Sequence, residues 1–191
     1  MIDRDLKRCL GQMISGVQVV AARHDGVTRA YCSHWITQVS FDEPIIMASV
    51  SPRHDTYPLM RASERFCVSV LAADQIEEGQ YFSYPGRKFK HVAPEFLTET
   101  NGWPHVPGAL SWLGAEVVQV TTAWDRGDAI DHHLFFARVT EVGEGRLGED
   151  PLLYSSRLGW RKTGGKARTR DNSVRDRLLA RVEAAEGTAP E

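Results

Sequence analysis

Ala30-Tyr31-Cys32-Ser33-His34-Trp35-Ile36-Thr37-Gln38-Val39-Ser40-Phe41-Asp42-Glu43-Pro44 is the stretch whose reading decides the fold. Its first residues continue a β-prone run that starts at Thr28. Residues 33–38 then turn polar and aromatic and read as a connection. Asp42-Glu43-Pro44 is a turn signal. On the N-terminal side, residues 17–22 read as a strand, joined to the stretch through Asp25-Gly26, a strong hairpin turn signal. On the C-terminal side, residues 45–50 form an apolar run short enough for a buried strand.

The rest of the chain extends this pattern. Leu6, Cys9, Leu10 and Met13 recur at helical spacing and predict a helix over 2–13, with Gly11 and Gly16 marking its exit. Residues 51–55 read as a loop. Thr56 is expected to cap a helix running through Met60 and Arg61, with Pro58 tolerated near its start. Residues 66–71 are a strand by β-propensity. A less regular excursion covers 72–107 and holds two loop signals, Tyr84-Pro85-Gly86 and Asn101-Gly102-Trp103-Pro104. Long strands are expected over 112–122 and 132–142, with a turn at 125–128 between them. Many strands separated by short turns predict a mainly β fold with flanking helices, closed as an antiparallel barrel. No βαβ alternation and no Gly-x-Gly-x-x-Gly after a strand are present, which disfavours a Rossmann site. The expected organisation is one domain over 1–162 and a basic extension over 163–191. In that extension Asp171-Asn172-Ser173 can cap a last helix, and the final six residues are expected to be disordered.

Composition narrows the function classes. The chain has 191 residues, 42% of them hydrophobic, and a formal net charge of −2. That balance gives no global attraction to nucleic acid or to an anionic membrane. No apolar run approaches a membrane span, and the charged start does not resemble a signal peptide, so a cytoplasmic location is expected. Three widely spaced cysteines make no zinc pattern and no disulfide framework. His132 and His133 would point to opposite faces of a strand and cannot share one metal, and His54-Asp55 is a weak cluster, so no metal site is expected. Neither a Gly-x-Ser-x-Gly elbow nor a His-Glu-x-x-His helix is present.

The order and spacing of several segments from about Leu6 to Lys162 resemble the flavin reductase-like family. Residues 10–17 resemble the family's opening, a helix ending in a glycine turn. Residues 30–44 resemble its main signature, which in one branch reads Gly-Met-Thr-Ala-Asn-Trp-Val-Thr-Gln-Val-Ser-Phe-Asp-Pro-Pro. Residues 45–56 resemble the strand and loop holding the ribityl and phosphate end of the flavin. Asp131-His132-His133-Leu134-Phe135-Phe136-Ala137-Arg138-Val139 resembles the Gly-Asp-His-x-Leu-Phe-x-Gly-x-Val segment, and Pro151-Leu152-Leu153-Tyr154 a late Pro-Leu-Val-Tyr/His element.

The resemblance implies an FMN-binding split β-barrel, with FAD as the alternative flavin. A flavin needs a flat apolar wall, donors for its carbonyls and phosphate, and access to its reactive edge. Trp35 suits the wall. Ser33, His34, Ile36, Thr37 and Gln38 offer side-chain or backbone groups to the ring and ribityl chain. Ser49, Val50, Ser51, Arg53 and Thr56 would form the phosphate end, where Arg53 offers a fork of donors and the helix at Thr56 its N-terminal amides. Lys88 is a further phosphate candidate. His132 is expected beside the ring, where a nicotinamide would lie. His132 and His34 are the two candidate catalytic residues.

The activity implied is NADH- or NADPH-dependent flavin reduction by a homodimer, with diffusible reduced flavin passing to a partner monooxygenase. The sequence departs from the signature at Tyr31, at Cys32, at Glu43 and above all at His34, which stands in place of Asn. His34 is titratable near neutral pH. Two alternatives follow: an FMN-dependent enzyme acting directly on a small organic substrate, with Tyr31, His34, Tyr81, Phe82, Tyr84 and Trp103 lining its pocket, or a non-catalytic flavin- or haem-binding split barrel.

Overall fold

The computed structural model describes residues 3–83 and 96–163. Fifteen elements follow one another in these residues: α1 (Arg4–Leu10), β1 (Ser15–Gly16), β2 (Gln18–His24), β3 (Val27–Ser33), β4 (Ile36–Gln38), β5 (Ile45–Val50), α2 (Thr56–Ser63), β6 (Arg65–Val70), α3 (Ile76–Ser83), β7 (Thr98–Thr100), β8 (Trp103–His105), β9 (Ser111–Ala123), β10 (Ala129–Glu144), β11 (Leu152–Ser155) and β12 (Gly159–Lys162). The expected mainly β fold with flanking helices is what forms.

The central feature is a seven-stranded sheet in the order β3-β2-β6-β9-β10-β5-β4, antiparallel throughout. Its β2–β3 hairpin turns on Asp25 and Gly26, both at positive φ (47° and 75°), as a two-residue primed turn requires. The sheet curls into a split barrel around Val20, Tyr31, Ala48, Val50, Phe66 and Phe135. A second cluster, with Val17, Leu71, Phe82 and Leu152 in it, lies under α3 and the small sheet β1-β11-β12.

Several expectations shift. Residues 33–38 are not wholly a connection: β4 pairs with β5 through Ile36↔Ala48, Thr37↔Met47 and Gln38↔Ile46. An edge strand pairs through its backbone, so its polar side chains hide it from hydrophobicity patterns. The run 45–50 is a strand but alternates, with Ile46, Ala48 and Val50 buried and the residues between them only partly so. Trp103 and Pro104, read as loop, form β8 after the Asn101-Gly102 turn. The first helix is shorter than 2–13. Asp3 caps it, accepting from the amides of Asp5 (2.8 Å) and Leu6 (3.3 Å), and Gly11 closes it. Its apolar spacing does not mean burial: Leu6, Leu10 and Met13 are all exposed. The basic extension, its expected helix, Tyr84 and Lys88 lie outside the described residues.

Candidate functional site

Three segments far apart in sequence meet at one end of the barrel. They are the β3–β4 junction with His34 and Trp35, the loop 51–55 that follows β5, and the start of β10 with His132. Backbone pairing sets the meeting. Ser49 in β5 donates its amide to the Trp35 carbonyl (3.0 Å), and β5 runs antiparallel to β10 through Val50↔His133. The indole of Trp35, half exposed, then meets the His132 imidazole edge-on, with centroids 4.8 Å apart. His132 also has Asp131 at 3.3 Å from its Nδ1. The adjacent His133 points the other way, as strand alternation demands, and its Nδ1 hydrogen-bonds the Tyr57 hydroxyl of α2 at 2.7 Å.

Two hollows flank this junction. One, of about 260 Å³, is lined by Ser51, Pro52, Arg53, Ile130, Asp131 and His132. Among the described residues Arg53 forms no ion pair, so a full cation stands at this mouth beside the start of α2. The other, of about 360 Å³, is walled by Cys32, His34, His54, Phe82, Tyr154 and Trp160. His34 packs between the rings of Trp35 (5.3 Å) and Tyr154 (4.7 Å). Burial holds the His34 imidazole below its ordinary pKa. His54 is lowered as well, by burial first and by the charge of His132 second, with Asp55 opposing. Burial pushes the Cys32 thiol up to about 11, which keeps it protonated at neutral pH.

The residues singled out from sequence divide. Trp35, Ser51, Arg53 and His132 share the first side of the junction, and His34 faces the second. Ser33 is buried, and its hydroxyl accepts from the Trp35 amide (3.2 Å), so it shapes the turn rather than opening to a hollow. Val50 is fully buried in the barrel, which leaves only its backbone for any ligand. Ser49 serves through the backbone bond already given. Ile36, Thr37 and Gln38 line a separate apolar groove with Pro44, Ile46 and Val139. The side chains of Thr37 and Gln38 bond to backbone carbonyls of Gln38 and Ser40 (3.3 and 3.0 Å). Thr56 is not the cap: Asp55 occupies that position, and Thr56 is the first helical residue with its side chain buried. One residue of offset turns a capping hydroxyl into a packed one. Trp103 is also elsewhere, under the Arg65 guanidinium (3.9 Å) and bonded to Glu141 (2.7 Å), while Tyr31 lies in the barrel core.

Sequence reasoning passed over His54 as a wall, and over Tyr154 and Trp160 as its companions. Tyr154 carried a signal in the Pro151-Leu152-Leu153-Tyr154 element. Trp160 carried none, because only the β11–β12 pairing, Tyr154↔Trp160, brings it there.

A half-exposed indole, a cation beside a helix start and two imidazoles with lowered pKa fit a flat heteroaromatic ligand with an anionic tail. Among the described residues no group of histidine, cysteine and carboxylate side chains is placed to hold a metal.

The family model described as "Flavin reductase like domain" matches residues 10–158. The reductase component of a 4-nitrophenol 4-monooxygenase/4-nitrocatechol 2-monooxygenase from Rhodococcus opacus is 26% identical over 175 residues, which cover 89% of each chain. Diflavin flavoprotein A 1 of Synechocystis sp. is 27% identical over 147 residues, 73% of this chain, and the chain spans only 24% of that relative's length. The solved styrene monooxygenase flavin reductase from Pseudomonas putida superposes with a TM-score of 0.72 at 25% identity, covering 86% of this chain and 99% of that one.

Proposed function

The chain belongs to the flavin reductase-like family, and from that premise we propose that it is an NADH- or NADPH-dependent flavin reductase that hands reduced FMN to a partner monooxygenase. One observation carries the reading: Trp35 and His132 meet edge-on beside the hollow that Arg53 lines. His132 and Arg53 line that hollow, Trp35 borders it through His132, and among the described residues Arg53 has no ion-pair partner, so a planar wall, an imidazole and a cation lie side by side, each suited to one part of a flavin.

Bound flavin supplies the chemistry of accepting a hydride and releasing electrons. The chain's residues do the rest. Trp35 walls the ring. Backbone amides of 33–37, other than that of Trp35, which donates to the Ser33 hydroxyl, are assigned to the polar edge of the ring. Arg53, Ser51 and the Thr56 amide at the start of α2 hold the phosphate; the next amide, of Tyr57, is bonded to the His54 carbonyl, and Pro58 has none. His132 and His34 orient the reductant and exclude water on the open side. Lys88 remains a candidate for the phosphate. FAD would extend past the same mouth. The one domain is taken as 1–162.

A homodimer is part of the proposal. Val39, Phe41 and Val142 are large exposed apolar side chains on β10 and around the β4–β5 connection, and light scattering on the full chain is the check. Among the described residues no helix is long and apolar enough to cross a membrane, and a cytoplasmic setting is proposed with the rest.

The deciding experiment is the absorption spectrum of the purified chain with added FMN under nitrogen, followed by NADH and then NADPH. Bleaching of the visible absorption band of the oxidised flavin supports the reading. No flavin affinity, or no bleaching with either donor, overturns it. A second reading draws on the aromatic hollow beside His34. Its size and walls suit a small aromatic substrate, which would make the protein an FMN-dependent enzyme acting on that compound directly. Reduced flavin that stays bound through gel filtration would favour this version over release to a monooxygenase.

A further inference from the structure

His54 sits between the two hollows. It lines the aromatic one with His34, and it is close enough to His132, on the other side, to feel that residue's charge. It is carried by the 51–55 loop, whose neighbours Pro52 and Arg53 are exposed. A side chain on such a loop ordinarily samples several rotamers. His54 is held instead. Its imidazole lies flat on the Tyr31 ring, with centroids 4.3 Å apart and planes at 19°.

Tyr31 is a rigid support. It is buried, belongs to β3 and packs in the barrel core. Its hydroxyl is buried without a hydrogen-bond partner among the described residues; the Ser33 hydroxyl is near enough to assist it yet outside bonding geometry. A hydroxyl so placed costs folding stability instead of adding to it. The ring face is what this residue offers.

Among the described residues neither ring nitrogen of His54 has a hydrogen-bond or ion-pair partner, and neither is sealed from the cavity. A fixed imidazole with one donor and one acceptor turned to a cleft is a ligand-contacting arrangement. Arg53, the adjacent residue, serves the other hollow.

We propose that His54 is a cofactor-contacting residue that bonds the uncharged part of the flavin, its ribityl hydroxyls or ring carbonyls, and that Tyr31 is the positioning residue that holds it there by stacking. This rests on the reading that the cleft binds flavin. It assigns a division of labour across consecutive residues: Arg53 meets the phosphate, and His54 meets the part that FMN and riboflavin share. The lowered pKa of His54 agrees with this, since an uncharged imidazole both donates and accepts.

The test is a fluorescence-quenching titration of the full chain with riboflavin and with FMN. His54→Ala is expected to weaken both by about tenfold, the size of one well-made hydrogen bond. His54→Gln, which keeps a donor and an acceptor, is expected to recover part of the loss. Tyr31→Leu is expected to weaken both flavins by about threefold to tenfold, and Tyr31→Phe to restore what Tyr31→Leu loses. In the His54→Ala background Tyr31→Leu should cost nothing further, because the two act as one unit. Unchanged affinity in His54→Ala overturns the proposal. So does a loss confined to FMN, which would move the contact to the phosphate, and so does full additivity of the two substitutions. Thermal melting of each variant shows that it folds. If the unaltered chain binds neither flavin, the cofactor reading falls and takes this inference with it. If it binds both and His54→Ala binds equally well, the inference alone falls.

Discussion

The indole of Trp35 and the imidazole of His132 meet at 4.8 Å with their planes at 70°, an edge-to-face contact between the β3–β4 junction and the start of β10. The indole is not packed away, since Trp35 is 51% exposed. A large aromatic left half open at the mouth of a cleft contributes little to folding and much to whatever stacks on it. Trp35→Ala should therefore leave the melting temperature within a few degrees of the original, while flavin affinity falls by about tenfold or more. Parallel thermal melts and flavin titrations check this. A large loss of stability with unchanged affinity would make Trp35 a core residue instead.

Arg53 lines the hollow next to His132 and forms no ion pair among the described residues. A guanidinium gripping a phosphate contributes a charge-assisted bond of about 1.5–3 kcal/mol. Arg53→Gln should weaken FMN by about tenfold to a hundredfold and leave riboflavin nearly unchanged. The FMN loss should shrink as salt is raised, because the intact contact is screened. Equal loss for both ligands would remove Arg53 from the phosphate.

The depressed pKa values of His34 and His54 make stability depend on pH. In the unfolded chain both titrate near 6.5, and in the fold they take up a proton only at lower pH. Between those two points the unfolded state binds more protons, so stability rises with pH. The contribution is complete above about 6.5, starts to fall as the pH drops past that value, and is lost once the folded pKa has been passed. Thermal melts from pH 8 to pH 5 should show this decline, and the double variant His34→Gln, His54→Gln should flatten it. A decline of the same size in that variant would place the effect in other groups.

His133 and Tyr57 form a hydrogen bond at 2.7 Å between β10 and α2, away from the cleft. Tyr57→Phe removes one partner from a partly buried pair and keeps the ring packing against Phe135. A loss of about 1 kcal/mol in folding stability is expected, read from urea unfolding. Flavin affinity should not change, since the bond lies on the opposite face of the strand from His132.

How much of this was legible in the sequence depends on whether the signal is local. The Asp25-Gly26 turn and the opposed directions of His132 and His133 follow from backbone chirality and a period of two, and both are found. β4 escaped because an edge strand of Ile36, Thr37 and Gln38 is held by pairing with β5 and not by an apolar pattern. The apolar spacing of α1 was real but did not mark a buried face, since nothing in the described chain covers Leu6, Leu10 and Met13. That Trp35, Arg53 and His132 lie near one another could be expected from sequence because each sits in a segment with its own motif. Trp160 was not, because it reaches the cleft only through its pairing with Tyr154. Thr37 and Gln38 come from the same signature as Trp35, yet in the fold they line a separate groove with Pro44 and Ile46.

The three cysteines should differ sharply in reactivity. The thiolate is the reacting form, and its population follows pKa and exposure. Burial pushes the Cys32 thiol up to about 11 and the Cys67 thiol up to about 12, so both are protonated at pH 8. Cys9, by contrast, is exposed on α1. A chromogenic disulfide reagent at pH 8 should therefore titrate one thiol quickly, and Cys9→Ser should abolish that phase. Cys32 lines the aromatic hollow and should react only slowly. Saturating FMN should slow it further, because a ligand across the cleft closes the path to the thiol. Unfolding in guanidinium should bring all three to one rate. If Cys32 reacted as fast as Cys9 in the folded chain, the aromatic hollow would be far more open to solvent than its walls indicate, and a ligand bound there would gain little from being enclosed.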